Sequence, residues 1–419
     1  MTPDSLLPDQ LKKMQGIALP LGLVLTGVAV AFALLNPIHL QGYLVGFLFA
    51  LGAGLGGFLA LCVIHLAGGA WSMNIRRICE AAAATVPVIG LFLLPILLQM
   101  KALYPWLHTA ELHDHVAHIV EKKSEWLTAG GFQIRAVIYY VLWVAMILPL
   151  LVWSRKQDET GDLQYRAKMK FLAGPGVLAH FIIMTFAAVD WVMSLEPVWF
   201  SSIFGVIFVI GQVLTILSFS ILFVCWLARF EPIRTTLTAN RLHSLGKLQF
   251  AFIVFWTYIE LSQFVIIYAA NLPEEISWYM NRAGAPDHPS PYRLLTFCLV
   301  FSQFVIPFLV LLNRKTKQMR DVLPWIAAIL LVVRVVDLYW IVSPSLHEPV
   351  TQLYHNHDHQ PVAAAARGPL FGWMDVVGPL GFASLFFGLF LMHFRKYPVL
   401  PVKDPMFSEK LEHEIKATA

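Results

Sequence analysis

Along the chain, apolar stretches of about 20 residues recur ten times. Each has the length a helix needs to cross about 30 Å of hydrocarbon. Helices are expected near Met14–Leu35, Tyr43–Ala70, Arg77–Leu103, Gly130–Trp153 and Phe171–Met193. Five more are expected near Phe200–Leu227, Leu248–Ala270, Tyr292–Leu312, Val322–Val342 and Leu370–Phe394. Polar tails, 1–13 and 395–419, flank them. Lys12 and Lys13 give the first stretch the look of a secretory signal, but its apolar run outlasts a signal core and reads as a spanning helix. The pattern predicts an all-α, polytopic membrane protein.

Composition agrees. Of 419 residues, 58% are hydrophobic and 13% charged, with a mean hydropathy of +0.66. Soluble domains sit near half apolar and a quarter charged, so a soluble fold is excluded. Lipid is an expected partner and nucleic acid is not. The net charge of +4 matters less than where the charges lie. With ten crossings, 22 Lys and Arg fall on the side of the two termini. The opposite loops hold five: Lys122, Lys123, Arg282, Arg293 and Arg367. The positive-inside rule then makes both termini cytoplasmic.

An internal repeat is visible. The fourth stretch starts at Arg135 and has Pro149 fourteen residues on; the eighth starts at Arg293 and has Pro307 at the same distance. The helix after each carries Val-Asp near its outer end, at Asp190 and Asp337, and both acids are followed by a Glu-Pro. Two parallel four-helix bundles follow, 43–193 and 200–342, with the helices 14–35 and 370–394 flanking them. Repeats of this kind often hold their sites at the repeat interface.

Ionisable residues inside the bilayer cost about 2.5–3.5 kcal/mol each on insertion scales, so each asks for a pair or a function. Asp190, Asp337, Arg135 and Asp375 fall in the outer half. Arg334 lies nearer the middle, one turn from Asp337, and can meet it on one helical face. Glu260 falls near the midplane with no partner close in sequence. Glu80, His65 and His393 lie on the inner side, with His180 between them and the centre. These acids, Arg135, Arg334 and His180 can line a proton path or a quinone pocket, because a buried carboxylate exchanges protons near neutral pH. The bland alternative has Arg334–Asp337 and Arg135–Asp190 as structural ion pairs and Asp375 as a favourable charge at a helix start. His65 and His393 read as interfacial residues rather than haem ligands.

Cys62, Cys79, Cys225 and Cys298 stand alone, without metal-cluster or haem-attachment spacing. No covalent or metal-ligated cofactor is expected in the chain. Two outer loops are rich in histidine, one with His108, His113, His115 and His118, the other with His355, His357 and His359. They read as docking surfaces rather than metal sites.

WVMSLEPVWFSSIFG (Trp191 to Gly205) and FWTYIELSQFVIIYAANLPEEISWY (Phe255 to Tyr279) resemble the smaller NrfD-type, polysulfide-reductase-like membrane subunit of alternative complex III. The resemblance runs from the second stretch through the tenth. It implies a haem-free subunit of a quinol:cytochrome c oxidoreductase that is not catalytic alone. A quinone or quinol is admitted as a ligand. Iron–sulfur clusters and haem c are implied in the partners. Those are a larger NrfD-type subunit, an extracytoplasmic iron–sulfur protein related to molybdopterin oxidoreductases, and multihaem and monohaem cytochromes c, with cytochrome oxidase a further candidate. The resemblance leaves open whether this chain or its larger homologue binds quinol. A secondary transporter and a purely structural anchor for extracytoplasmic subunits are the competing classes. Transporters more often repeat with inverted topology, which the parallel repeat here disfavours.

Overall fold

The computed structural model describes residues 3–69, 71–112, 114–285, 289–353 and 370–401. Among them are ten helices long and apolar enough to cross a membrane. We label them α1 (Leu7–Leu35), α2 (Pro37–Ala67), α3 (Ser72–Leu98), α4 (Ala129–Thr160), α5 (Leu163–Leu195), α6 (Phe204–Leu227), α7 (Ala239–Ala270), α8 (Arg293–Leu312), α9 (Leu323–His347) and α10 (Met374–Phe394). The protein is all-α and multi-pass. The helices overrun several expected limits because amphipathic turns extend past the apolar core. The stretch expected at Arg77–Leu103 instead starts at Ser72 and ends at Leu98. The start of α1 and the end of α10 lie together, and the face they share is called the terminal face; the opposite one is called the far face.

Helices α2 and α6 are the most enclosed of the ten. Helix α2 packs against α3, α5, α6, α9 and α10, while α6 packs against α2, α5, α7 and α9. Exchanging α2 with α6 and α5 with α9 turns the α5–α6 contact into the α9–α2 contact. Helix α1 rests chiefly on α10, which rests on α2. Glycine lets these backbones touch. A Cβ on Gly42 would lie 2.3 Å from the Met374 carbonyl oxygen, and one on Gly56 2.3 Å from that of Gln212.

Two helices depart from regular geometry, and proline accounts for both. In α3, Pro87 and Pro95 remove backbone donors, and the helix breaks into Ser72–Ala83, Val86–Ile89, a 3-10 turn Gly90–Leu93 and Leu94–Leu98. Bare carbonyls in lipid are costly, and neighbours answer them. The Tyr140 hydroxyl donates to the Pro87 carbonyl at 2.7 Å, and Tyr43 to that of Phe92 at 2.6 Å. In α8, the segment Val300–Val305 winds as a π turn just before Pro307. Pro307 has no N–H for the Gln303 carbonyl, and its ring crowds that oxygen. The wider turn relieves the clash.

Candidate functional site

Four polar clusters lie within the helices. The first, at the far end of α4 and α5, is built on Asp190, which is fully buried. Thr128 caps α4, its hydroxyl accepting from the Gly131 N–H at 3.2 Å, and so sets Arg135 two turns in. Arg135 donates to Asp190 through Nε and Nη2, both at 2.9 Å. Tyr139 donates its hydroxyl at 2.8 Å, and the Trp126 indole N–H donates at 2.9 Å. Each carboxylate oxygen thus receives two donors, which fills its capacity. The Arg135 guanidinium also lies 4.1 Å from the centre of the Trp126 ring. A carboxylate held this way fixes α4 to α5. It cannot take a proton without giving up a bond.

The second cluster joins the connections of the far face, and reading the sequence missed it. Arg282, on the short helix Pro273–Ala283, is fully buried. Its Nη1 donates to Glu196 Oε1 at 3.2 Å and to the Trp278 carbonyl at 2.9 Å. Its Nη2 donates to the Ile341 carbonyl at 2.7 Å and the Ser345 hydroxyl at 3.0 Å, and Nε to the Trp340 carbonyl at 3.2 Å. Ser345 donates to the same Glu196 oxygen at 2.6 Å. Trp278 lies against the guanidinium at 3.1 Å and stacks on Trp199 at 4.0 Å. Burial pushes the guanidinium down to about 10, and Glu196 works against that push. The signal was present. PEEISWYMNRA opens with proline and two acids and closes on arginine, a helix signature inside a connection.

The third cluster occupies the middle of α7, α8 and α9. Arg334 Nη1 donates to Asp337 Oδ2 on the same helix, and both are buried. Gly211 of α6 makes room for the guanidinium: a Cβ there would lie 2.3 Å from Arg334 Cζ. Glu260 is partly buried, on the same face of α7 as Trp256, Gln263 and Ile267. Among the described residues it has no hydrogen-bond or ion-pair partner. The fixed charges that act on it are Asp337, Arg334 and Arg282. Gln303, buried in the π turn of α8, also has no partner for its Oε1 among the described residues. That turn packs against both α7 and α9.

The fourth cluster closes the terminal end of α3 and α4. Glu80 accepts from Arg76 Nε at 3.0 Å, Arg77 Nη1 at 2.6 Å and the Ser154 hydroxyl at 2.7 Å. Arg77 Nη2 also donates to Asp158. His393 and Arg155 line a cavity of about 20 Å³ beside Glu80 and Arg77, room for roughly one water molecule.

The remaining expected residues lie apart from these clusters. His180, fully buried, contacts Gln212 Oε1 through Nε2 at 3.0 Å and packs against Phe58 and Trp143. Asp375 accepts from the Gly372 N–H at 2.8 Å and from Gln41 Nε2 at 3.0 Å, which makes it a cap that ties α10 to α2. Asp190 with Arg135, and Glu80 with its two arginines, belong to α3, α4 and α5, whereas Glu260, Arg334 and Asp337 belong to α7 and α9. Of the histidine loops, His108 meets the Lys101 carbonyl, and His115 lies 3.5 Å from Glu274. His113, His355, His357 and His359 fall outside the described residues. No group of three potential metal ligands forms among the described residues. No protein-family model matches the chain, and no curated protein matches it.

Proposed function

We propose that this chain is the proton-handling membrane subunit of a bacterial respiratory complex that oxidises quinol and passes electrons to cytochrome c. Glu260 carries the reading. Among the described residues it is the carboxylate in the middle of a membrane helix that no cation pairs with directly, while Asp190, Glu80 and Asp337 are each locked to arginine. A carboxylate set beside a fixed ion pair can gain and lose a proton at modest electrostatic cost, because Arg334 and Asp337 largely cancel at a distance. Gln303 and Gln263 flank the same interior and can order water toward it.

The respiratory assignment is supported by the two strings that resemble the NrfD-type subunit. They supply Glu196, Trp199 and Trp278 of the second cluster and Glu260 of the third. On this reading, both termini face the cytoplasm. Iron–sulfur clusters and haem c belong to partner subunits on the far face, and quinol is oxidised beside this subunit or its larger homologue.

The test is the proton yield per electron of the reconstituted complex, with wild-type chain or with Glu260→Gln. The variant should assemble normally and keep electron transfer while its proton yield falls. Normal assembly with an unchanged yield would sink the assignment.

A further inference from the structure

Beside the Asp190 cluster lies a cleft of about 410 Å³ at the far-face end of α5. Its walls include Trp126, Thr185, Phe186, Val189 and Phe200, and its mouth carries Lys122, Lys123 and Glu125. Neither the repeat nor the proton-handling reading uses it.

Three observations identify what fits there. First, the cleft continues into an exposed apolar stripe. Leu178, Ile182 and Phe186 are 59%, 56% and 42% exposed and follow one another at four-residue spacing. They form a single ridge running about 12 Å down α5 from the cleft towards mid-membrane. Second, the head of the cleft is cationic and incompletely satisfied. The Lys123 ammonium donates to the Pro197 carbonyl at 2.6 Å and lies 5.8 Å from the Phe200 ring centre. It makes no ion pair among the described residues, so two of its three N–H donors are left for a ligand. Third, burial pushes this ammonium below its usual range, with only the charge of Glu274 opposing. An anion arriving at Lys123 restores what burial removes.

An apolar ridge ending under a half-buried ammonium, at the depth of the membrane interface, matches one class of molecule. We propose that a phospholipid with an anionic headgroup occupies the cleft, its phosphate against Lys123 and one acyl chain along Leu178, Ile182 and Phe186. Lys122 adds a second positive charge at the mouth, and Glu125 offsets part of it. The lipid would also cover Trp126, whose indole holds Asp190, and so shield that cluster from water.

The experiment purifies the full chain and exchanges it into nanodiscs of equal phosphatidylglycerol and phosphatidylcholine. Native mass spectrometry then counts the lipid that survives gas-phase release. Wild type should retain phosphatidylglycerol over phosphatidylcholine by about tenfold, the scale of one charge-assisted hydrogen bond. Lys123→Gln should abolish the preference and Lys123→Arg should keep it. Equal retention of the two lipids by wild type would overturn the proposal without recourse to any variant. So would a preference that survives Lys123→Gln, or a quinone or a partner subunit found in the cleft in place of phospholipid.

Discussion

The two halves of the molecule start from the same sequence pattern and solve it differently. In the first, Arg135 opens α4, Pro149 follows fourteen residues on, and Arg135 reaches across to Asp190 on α5. In the second, Arg293 and Pro307 repeat the spacing, but Arg293 is exposed and pairs with no carboxylate among the described residues. Asp337 takes its arginine from its own helix, at Arg334. Moving the cation from one helix to the next keeps the pair within α9 and leaves α7 to supply Glu260, which has no partner among the described residues. The prolines diverge as well. Helix α4 runs unbroken through Pro149, while α8 widens into a π turn before Pro307 and turns Gln303 into the same interior. Where the first half needs one clasp at its far end, the second builds that clasp from its connections, with Arg282 and Glu196. The lesson is that a shared spacing of arginine and proline does not transmit the same ion-pair partners.

The sharpest way to break this comparison is to remove one member of the saturated clasp. Asp190→Leu leaves Arg135 enclosed without an anion and Tyr139 and Trp126 without an acceptor. Stability should fall by about 3–5 kcal/mol, read as the midpoint of unfolding in mild detergent. Adding Arg135→Met should recover most of that loss, since an apolar pair of similar bulk no longer strands a charge. Glu260→Gln should move the same midpoint far less, because no bond is broken. Equal losses for Asp190→Leu and Glu260→Gln would erase the distinction between a clasp and an unpaired acid.

Much of this was legible beforehand, and the limits are physical. Span count and helix class follow from unbroken apolar length, which lipid enforces. The Arg334–Asp337 contact follows from three-residue spacing on one helix. Arg135–Asp190 was legible as one of two open readings, because matching depth brings charges within reach but does not count donors. Trp126 and Tyr139 complete the donor count at Asp190, and they come from a connection and a helix face whose aim the sequence does not state. Arg282–Glu196 was missed for the converse reason. Both residues sit in connections, where charge ordinarily meets water, and only the folding of Pro273–Ala283 back into the bundle buries them.

A smaller effect tests the mid-membrane pair. Gly211→Ala places a methyl group against the Arg334 guanidinium and should cost about 1–3 kcal/mol, the usual range for overpacking. The same change in a background with Arg334→Gln and Asp337→Asn should cost clearly less, a coupling of about 1 kcal/mol or more in a mutant cycle. If Gly211→Ala costs the same in both backgrounds, the guanidinium is not what requires glycine there. The clasp and the pair would then differ in more than the helix that donates the arginine.

The smallest effect concerns the backbone of α3, where the first half carries its own irregularity. Within the broken helix, the carbonyls of Pro87 and Phe92 are met by Tyr140 from α4 and Tyr43 from α2. Each hydroxyl exchanges one hydrogen bond for another on unfolding within the membrane, so Tyr140→Phe should cost only about 1 kcal/mol. Tyr43, fully buried where Tyr140 is partly exposed, should cost more, because its abandoned carbonyl has less chance of finding water. Comparing the two unfolding midpoints checks the ordering. A larger loss at Tyr140 than at Tyr43 would mean that the ring packed over Gly90, rather than its hydroxyl, holds the broken helix in place. The irregularity of the first half would then be a matter of shape. In the second half, the π turn instead leaves Gln303 Oε1 without a partner among the described residues, so there the irregularity bears on polar groups as well as on shape.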